Sequence, residues 1–356
     1  TCALPILTAY MVYKAVDQGK ITWDTEVDIS DYPFNLTVDS EVSNVPLDSR
    51  KYTVKQLLDA TLISSANSAA IALAEKISGS ESAFVDTMTA QLKEWGITDA
   101  KLFNASGLNN KYLGDNRYPG SKADDENTMS ALDVAIIADH LIKDYPQVLE
   151  ITKQTETDFE GNNKLTTHNY MLEGQDNYRE GVDGLKTGTT ELAGASFVAH
   201  SNENGMSLIT VVMNADNGGE DEAARFTATN ELLDYVTQNW KIKTLNTKGQ
   251  IVKKNDIKVA DGDSQTISAK LESDLTVVQK INSKNDAVKI KAKTITAPIK
   301  KDDTIGTATF DDKDLVGTGY ISDPPQISVT ANQSIKKSFF LKVWWNHIVN
   351  FFTGNK

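Results

Sequence analysis

Two short stretches of this sequence carry residue types that could do chemistry together. One is Lys186-Thr187-Gly188-Thr189-Thr190, where a cation and several hydroxyls flank a glycine. The other is Ser65-Ala66-Asn67, where a hydroxyl and an amide stand with one residue between them. Each alone has an ordinary structural reading. Lys186-Thr187-Gly188 reads as a strand end with a turn glycine, and Ser and Asn are common helix caps. Together they offer parts of an acyl-transfer site. Such a site needs a nucleophile, a base beside it, donors for the developing oxyanion and a cation for a substrate carboxylate. Arg225, in Ala224-Arg225-Phe226, is a further cation. It reads either as a carboxylate ligand or as a surface charge at a helix start.

The elements that must position these residues follow from periodicity and punctuation. Residues 6–18 read as a buried helix that ends near Gly19. Thr53 is placed to cap a helix over Val54–Leu62, which Ser64-Ser65-Ala66 breaks. Asn67 opens the next helix, which stops at Gly79, and residues 80–95 form another. Ser65 and Asn67 are thus expected at a helix–helix junction. Residues 105–128 read as a loop, of a length that marks either a functional or a disordered segment. Ser130–Ile142 returns to a periodic helix. From residue 180 the pattern changes to strands. Gly181–Thr187 is extended, and Ala193–His200 and Met206–Asn214 flank the turn Asn202-Glu203-Asn204-Gly205. Ala223–Trp240 reads as an amphipathic helix. Helices around an antiparallel sheet give an α/β (α+β) class for residues 1–242.

Composition shifts at about residue 243. From there to 332 the chain is rich in Lys, Thr and Asp, with alternating runs at 288–293 and 304–310. These predict half-buried strands and a small all-β domain. Residues 333–356 differ again. Over 335–352, Lys342, Asn346 and Asn350 form one stripe, and Phe340, Leu341, Trp344, Trp345, Ile348, Phe351 and Phe352 cover the other side. A basic amphipathic helix dense in Trp and Phe is expected to lie in a membrane interface, the alternative being a terminal helix docked on the protein's own core.

Bulk properties narrow the classes. The chain has 356 residues, 40% hydrophobic and 24% charged, and a formal net charge of −13. That charge argues against nucleic acid as a partner, because binding a phosphate backbone needs a basic face. The single cysteine, Cys2, excludes an internal disulfide. His140, His168, His200 and His347 have no ligand spacing, so no metal is expected, and no glycine loop that could cradle phosphate is present.

The order Ser65-Ala66-Asn67, then Lys186-Thr187-Gly188, matches the second and third elements of the S-x-x-K, S-x-N, K-T-G set of penicillin-binding proteins. Residues 64–75 and 178–189 resemble the low-molecular-weight D-alanyl-D-alanine carboxypeptidases of Gram-positive bacteria, serine peptidases related to β-lactamases. The resemblance runs from about Leu7 to the end of the chain. It implies an enzyme that removes the terminal D-Ala of peptidoglycan stem peptides through an acyl-enzyme, is acylated by β-lactams and needs no cofactor. It implies Ser65 and Asn67 in proton shuttling and substrate amide binding. Lys186 would supply positive charge. Thr187 would hold the substrate carboxylate beside Gly188, and the Thr189 N–H would be an oxyanion donor. Arg225 would meet the terminal D-Ala carboxylate. It also implies residence at the extracellular face of the bacterial cytoplasmic membrane, with residues 335–352 as the anchor. A β-lactamase is the weaker enzyme reading, because hydrolysis of a small drug needs neither a β domain nor an anchor.

The first element of the set is expected just before Leu7-Thr8-Ala9-Tyr10. Cys2 stands at the serine position and Pro5 at the lysine position. Pro5 has no basic nitrogen. Cys2 is a candidate thiol nucleophile with nothing beside it to take its proton. The expectation is a chain truncated or altered at its N-terminal side. The alternative to an enzyme is a cell-wall-binding pseudoenzyme that keeps the cleft without its nucleophile.

Overall fold

The structure is a computed structural model that describes residues 2–39, 41–161, 163–252, 256–292 and 294–339. It divides into two compact units, Thr1–Thr237 and Gln238–Lys356. In the first unit the helices are α1 (Ala3–Asp17), α2 (Asp31–Leu36), α3 (Val54–Ile63), α4 (Asn67–Ser78), α5 (Glu81–Glu94), α6 (Ala131–Asp144), α7 (Leu149–Thr152) and α8 (Ala224–Asn239). Its strands are β1 (Glu26–Asp28), β2 (Lys51–Thr53), β3 (Glu156–Asp158), β4 (Lys164–Thr166), β5 (Val182–Thr190), β6 (Gly194–Glu203) and β7 (Met206–Val212).

Helix α1 is apolar on every face, and the fold buries it accordingly: it packs against α3, α4, α5, α6 and β5. Pro5 lies in its first turn, where the missing N–H would have had no helical partner. The helix therefore begins at Ala3, earlier than the apolar pattern predicts.

Strands β5, β6 and β7 form an antiparallel sheet in that order. Alternate residues point to opposite faces. Val198 joins the large helical core, while Phe197 and Ala199 join Phe226 and Leu233 of α8. The sheet is thus sandwiched between the helical body and α8. Asp183, His200 and Ser207, one from each strand, are hydrogen-bonded in series at 2.5 and 2.8 Å and tie the sheet together at one end.

Three elements depart from the expectations. The loop 105–128 contains a 3-10 helix over Asn110–Asn116. The hairpin β3–β4 has no counterpart in the sequence pattern. Strand β5 runs on to Thr190, so Gly188 lies inside a strand and not at a turn.

The second unit has its own core, which includes Val252, Leu271, Val277, Ala297, Ala308 and Val329. Its strands are β8 (Trp240–Asn246), β9 (Ile257–Ala260), β10 (Thr266–Ile267), β11 (Ala269–Leu271), β12 (Leu275–Lys280), β13 (Val288–Lys291), β14 (Ile295–Thr296), β15 (Thr304–Phe310) and β16 (Gln326–Ala331). Four of them form one sheet in the order β11-β16-β15-β13. The unit begins at Gln238, ahead of the composition shift at 243. Past residue 332, Ile335 is 2% exposed within the β core and bridges Ile299, and Lys337 bridges Gly262. From residue 340 the expected amphipathic helix lies outside the described residues. Among the described residues no helix is long and apolar enough to cross a membrane.

Candidate active site

Helix α3 is started by a capping box: the Thr53 hydroxyl accepts the Gln56 N–H, and the Gln56 side chain accepts the Thr53 N–H at 2.8 Å. It stops at Ile63, and the chain turns sharply before α4. The turn is held from three sides. The Ser64 hydroxyl accepts the Thr166 N–H at 2.9 Å, Ala66 N–H donates to Ala60 O, and Asn67 N–H donates to Ser43 O. Ser65 sits in it at φ +57°, a left-handed conformation that costs a non-glycine residue about 1 kcal/mol. That geometry carries the Ser65 hydroxyl to Lys186 of β5, whose ammonium donates to it. The two stretches singled out in the sequence meet here.

Lys186 is 3% exposed and also donates to Thr187 O at 2.8 Å. Among the described residues no carboxylate pairs with it. Burial pulls its pKa down to about 8. The Arg225 charge pulls the same way, and Cys2 opposes them. At neutral pH it remains a cation without a counter-ion, which makes the place a site for an anion.

Gly188 is fixed by close approach. A β-carbon there would lie 2.5 Å from the backbone nitrogen of Cys2. Only glycine lets the first turn of α1 pack against β5. Cys2 is 1% exposed, and its surroundings open onto a separate cavity of about 200 Å³ with Leu4, Met129 and Leu192. Pro5 lines the main cleft.

That cleft has a volume of about 470 Å³. One side is Ser43, Ser65 and Asn67. A second is the segment 106–109 with Lys111 and Tyr112, and β5 supplies Lys186–Thr190. All the residues singled out in the sequence line it except Cys2. Arg225 lines it too, yet its guanidinium donates within the protein: Nε to Glu222 O, Nη1 to Gly188 O and Ser196 O, and Nη2 to the Thr189 hydroxyl at 2.7 Å. Burial lowers its pKa from the usual arginine value. These bonds tie Arg225 to β5 and β6 and hold the Thr189 hydroxyl.

Sequence pattern alone misses Ser43, His168 and Tyr170, which all line the cleft. In the sequence His168 bears only on metal ligation. Burial, with the Lys186 charge next, lowers its pKa, so the imidazole is neutral at pH 7. The long loop 105–128 is the one signal available for the wall 106–109. Ser43 and Tyr170 carry none.

Residues 5–217 match the family model described as D-alanyl-D-alanine carboxypeptidase, and residues 240–337 match that of the C-terminal domain of penicillin-binding protein 5. The chain is 28% identical over 343 residues to the D-alanyl-D-alanine carboxypeptidase DacF of Bacillus subtilis, covering 94% of this chain and 79% of that one. Among solved structures it resembles a peptidoglycan synthesis regulatory factor (PBP3) from Streptococcus pneumoniae. There the TM-score is 0.86 and the identity 48%, with 94% of this chain and 92% of that one covered. It also resembles penicillin-binding protein D2 from Listeria monocytogenes in its ampicillin-bound form. The TM-score is 0.53 and the identity 27%, over 66% of this chain and 85% of that one.

Proposed function

The chain belongs to the D-alanyl-D-alanine carboxypeptidase family, and from that premise we propose that its cleft binds the D-Ala-D-Ala end of a peptidoglycan stem peptide. The observation that carries this is Lys186, a buried cation on the edge strand β5 with no carboxylate paired to it among the described residues. An extended peptide adds to the free edge of β5 by main-chain hydrogen bonds. Its terminal carboxylate meets the Lys186 ammonium and the Thr187 and Thr189 hydroxyls. The Asn67 amide nitrogen is committed to Ser43 O, at 2.8 Å, so its carbonyl oxygen accepts from the peptide. The Thr189 N–H donates to the oxyanion, and Ser65, held by Lys186, passes a proton to the departing D-Ala amine, only where a nucleophile at position 2 attacks the same carbonyl and takes the acyl group. β-Lactams occupy the same cleft. The peptide lies outside the cytoplasm, so the chain works at the extracellular face of the cytoplasmic membrane, with the amphipathic segment from residue 340 at its surface.

For the acyl-transfer step itself, a second reading has a specific observation in its favour. Cys2 is 1% exposed and packs against Gly188 without itself lining the cleft, and Pro5, at the position of the base, cannot take a proton. The chain as it stands binds the peptide end without cleaving it. Intact-mass spectrometry after incubation with ampicillin tests this. The unaltered chain is expected to gain no adduct, and the double variant Cys2→Ser/Pro5→Lys to gain one, on position 2. A stoichiometric adduct on Cys2 of the unaltered chain would establish a working thiol nucleophile and overturn the binding-only reading.

A further inference from the structure

Glu81, the first residue of α5, is 6% exposed and lies away from the cleft. Its carboxylate accepts two hydrogen bonds, one from the Ala105 N–H and one from the Tyr32 hydroxyl, both at 2.8 Å. Ala105 is fully buried, and its carbonyl accepts the Thr8 hydroxyl of α1 at 2.8 Å. Ala105 is thus held through both of its backbone groups, its N–H by α5 and its carbonyl by the helix that bears Pro5.

The residues immediately after Ala105 form the cleft wall. Ser106, Gly107, Leu108 and Asn109 all line it. The wall is stiff within itself: Asn104 Oδ1 accepts the Gly107 N–H at 2.7 Å, and Asn104 Nδ2 donates to Leu108 O at 2.8 Å. A unit stiffened in this way moves as one piece, so its position depends on its tethers. Ala105 is one, and Asn127, which accepts the Phe103 N–H, is another.

We propose that Glu81 is a positioning residue for the cleft: by accepting the Ala105 N–H its carboxylate fixes the wall 106–109, and neutralising it loosens the wall and weakens peptide binding. The groups facing it are Tyr32 from α2, Glu75 from α4 and the Ala105 peptide. Among the described residues no cation does. Burial therefore lifts its pKa to about 7, against the two hydrogen bonds, with Glu75 adding to the rise. When Glu81 is protonated, the bond from Ala105 changes from charge-assisted to neutral, roughly half as strong. The binding part of the proposal rests on the D-Ala-D-Ala reading of the cleft. The positioning part does not.

The experiment compares the full chain with Glu81→Gln, which keeps the shape and an acceptor but no charge. Amide hydrogen-exchange protection of residues 105–109 is measured without ligand from pH 5.5 to 8, and affinity for an N-acyl-D-Ala-D-Ala dipeptide by calorimetry. The expected result is a fall in protection of about tenfold below pH 7 in the unaltered chain, and low, level protection in Glu81→Gln. Affinity should fall several-fold over the same range only in the unaltered chain, since any dependence from Lys186 or His168 is common to both. Equal protection in both chains at every pH would overturn the proposal. Protection that shifts as expected, with no dipeptide bound by either chain, would keep the positioning role and reject the substrate reading.

Discussion

At the residue scale, the proposed function makes Lys186 the group that draws a carboxylate into the cleft. Its pKa of about 8 lies below the ordinary lysine value of 10.5 because burial penalises the charged form. Between those two values the unfolded chain keeps a proton that the folded chain has released. Stability therefore rises with pH across that window as the cost of the buried charge disappears. Affinity for a carboxylate-ended peptide runs the other way and falls as pH passes 8. Calorimetric titration at pH 7 and 9, with thermal melts at both, should show tighter folding and weaker binding at the higher pH. Lys186→Met should lose roughly 10- to 100-fold in affinity at pH 7, about the 1.5–3 kcal/mol of a hydrogen bond to a charged group. An affinity unchanged by the substitution would remove Lys186 from the binding site. Which residues face the cleft was partly legible in the sequence, because Lys186 and Ser65 come from types and spacings that acyl transfer uses. Lysine at a buried position without an acid was not legible. Its partners are brought in from the end of α3, and the absence of a carboxylate nearby is a property of the folded chain.

At the element scale, the α3–α4 junction is the device that presents Ser65. Both ends of α3 were readable in the sequence, since Thr53 is an N-cap residue and Ser64-Ser65-Ala66 breaks the pattern; the structure adds Gln56 to complete a capping box. The conformation of the turn was not readable. It depends on Ser43 and Thr166, which are remote in sequence. The two controls are separable. Thr53→Ala should lower stability by about 1 kcal/mol in chemical denaturation by removing the cap. Dipeptide affinity should hold, because the turn keeps its bonds to Ala60, Ser43 and Thr166. A loss of affinity matching the loss of stability would show that the cap, and not the turn contacts, sets the position of Ser65. The hairpin β3–β4 leaves no trace in the pattern because its strands are three residues each, too short for alternation to register.

At the scale of the whole molecule, the two units own separate hydrophobic cores. Each is large enough to melt cooperatively. Scanning calorimetry should resolve two transitions, and the cleft ligand should raise only the one that belongs to the first unit. One transition, coincident by every probe and shifted whole by the ligand, would mean that the units unfold as one. The sequence by itself determined the long helices and the strands of the central sheet, the change to β composition at about residue 243, and the residue types proposed to make the cleft. Those are local matters of periodicity, capping and side-chain type, each decided within a few residues. Tertiary structure alone decided that Gly188 is a contact glycine against Cys2, that Arg225 donates to Gly188, Thr189 and Ser196, and that Glu81 accepts the Ala105 N–H. In each case the partners are far apart in the chain. Close packing brings them within a few ångströms, and no local pattern records which surfaces will meet.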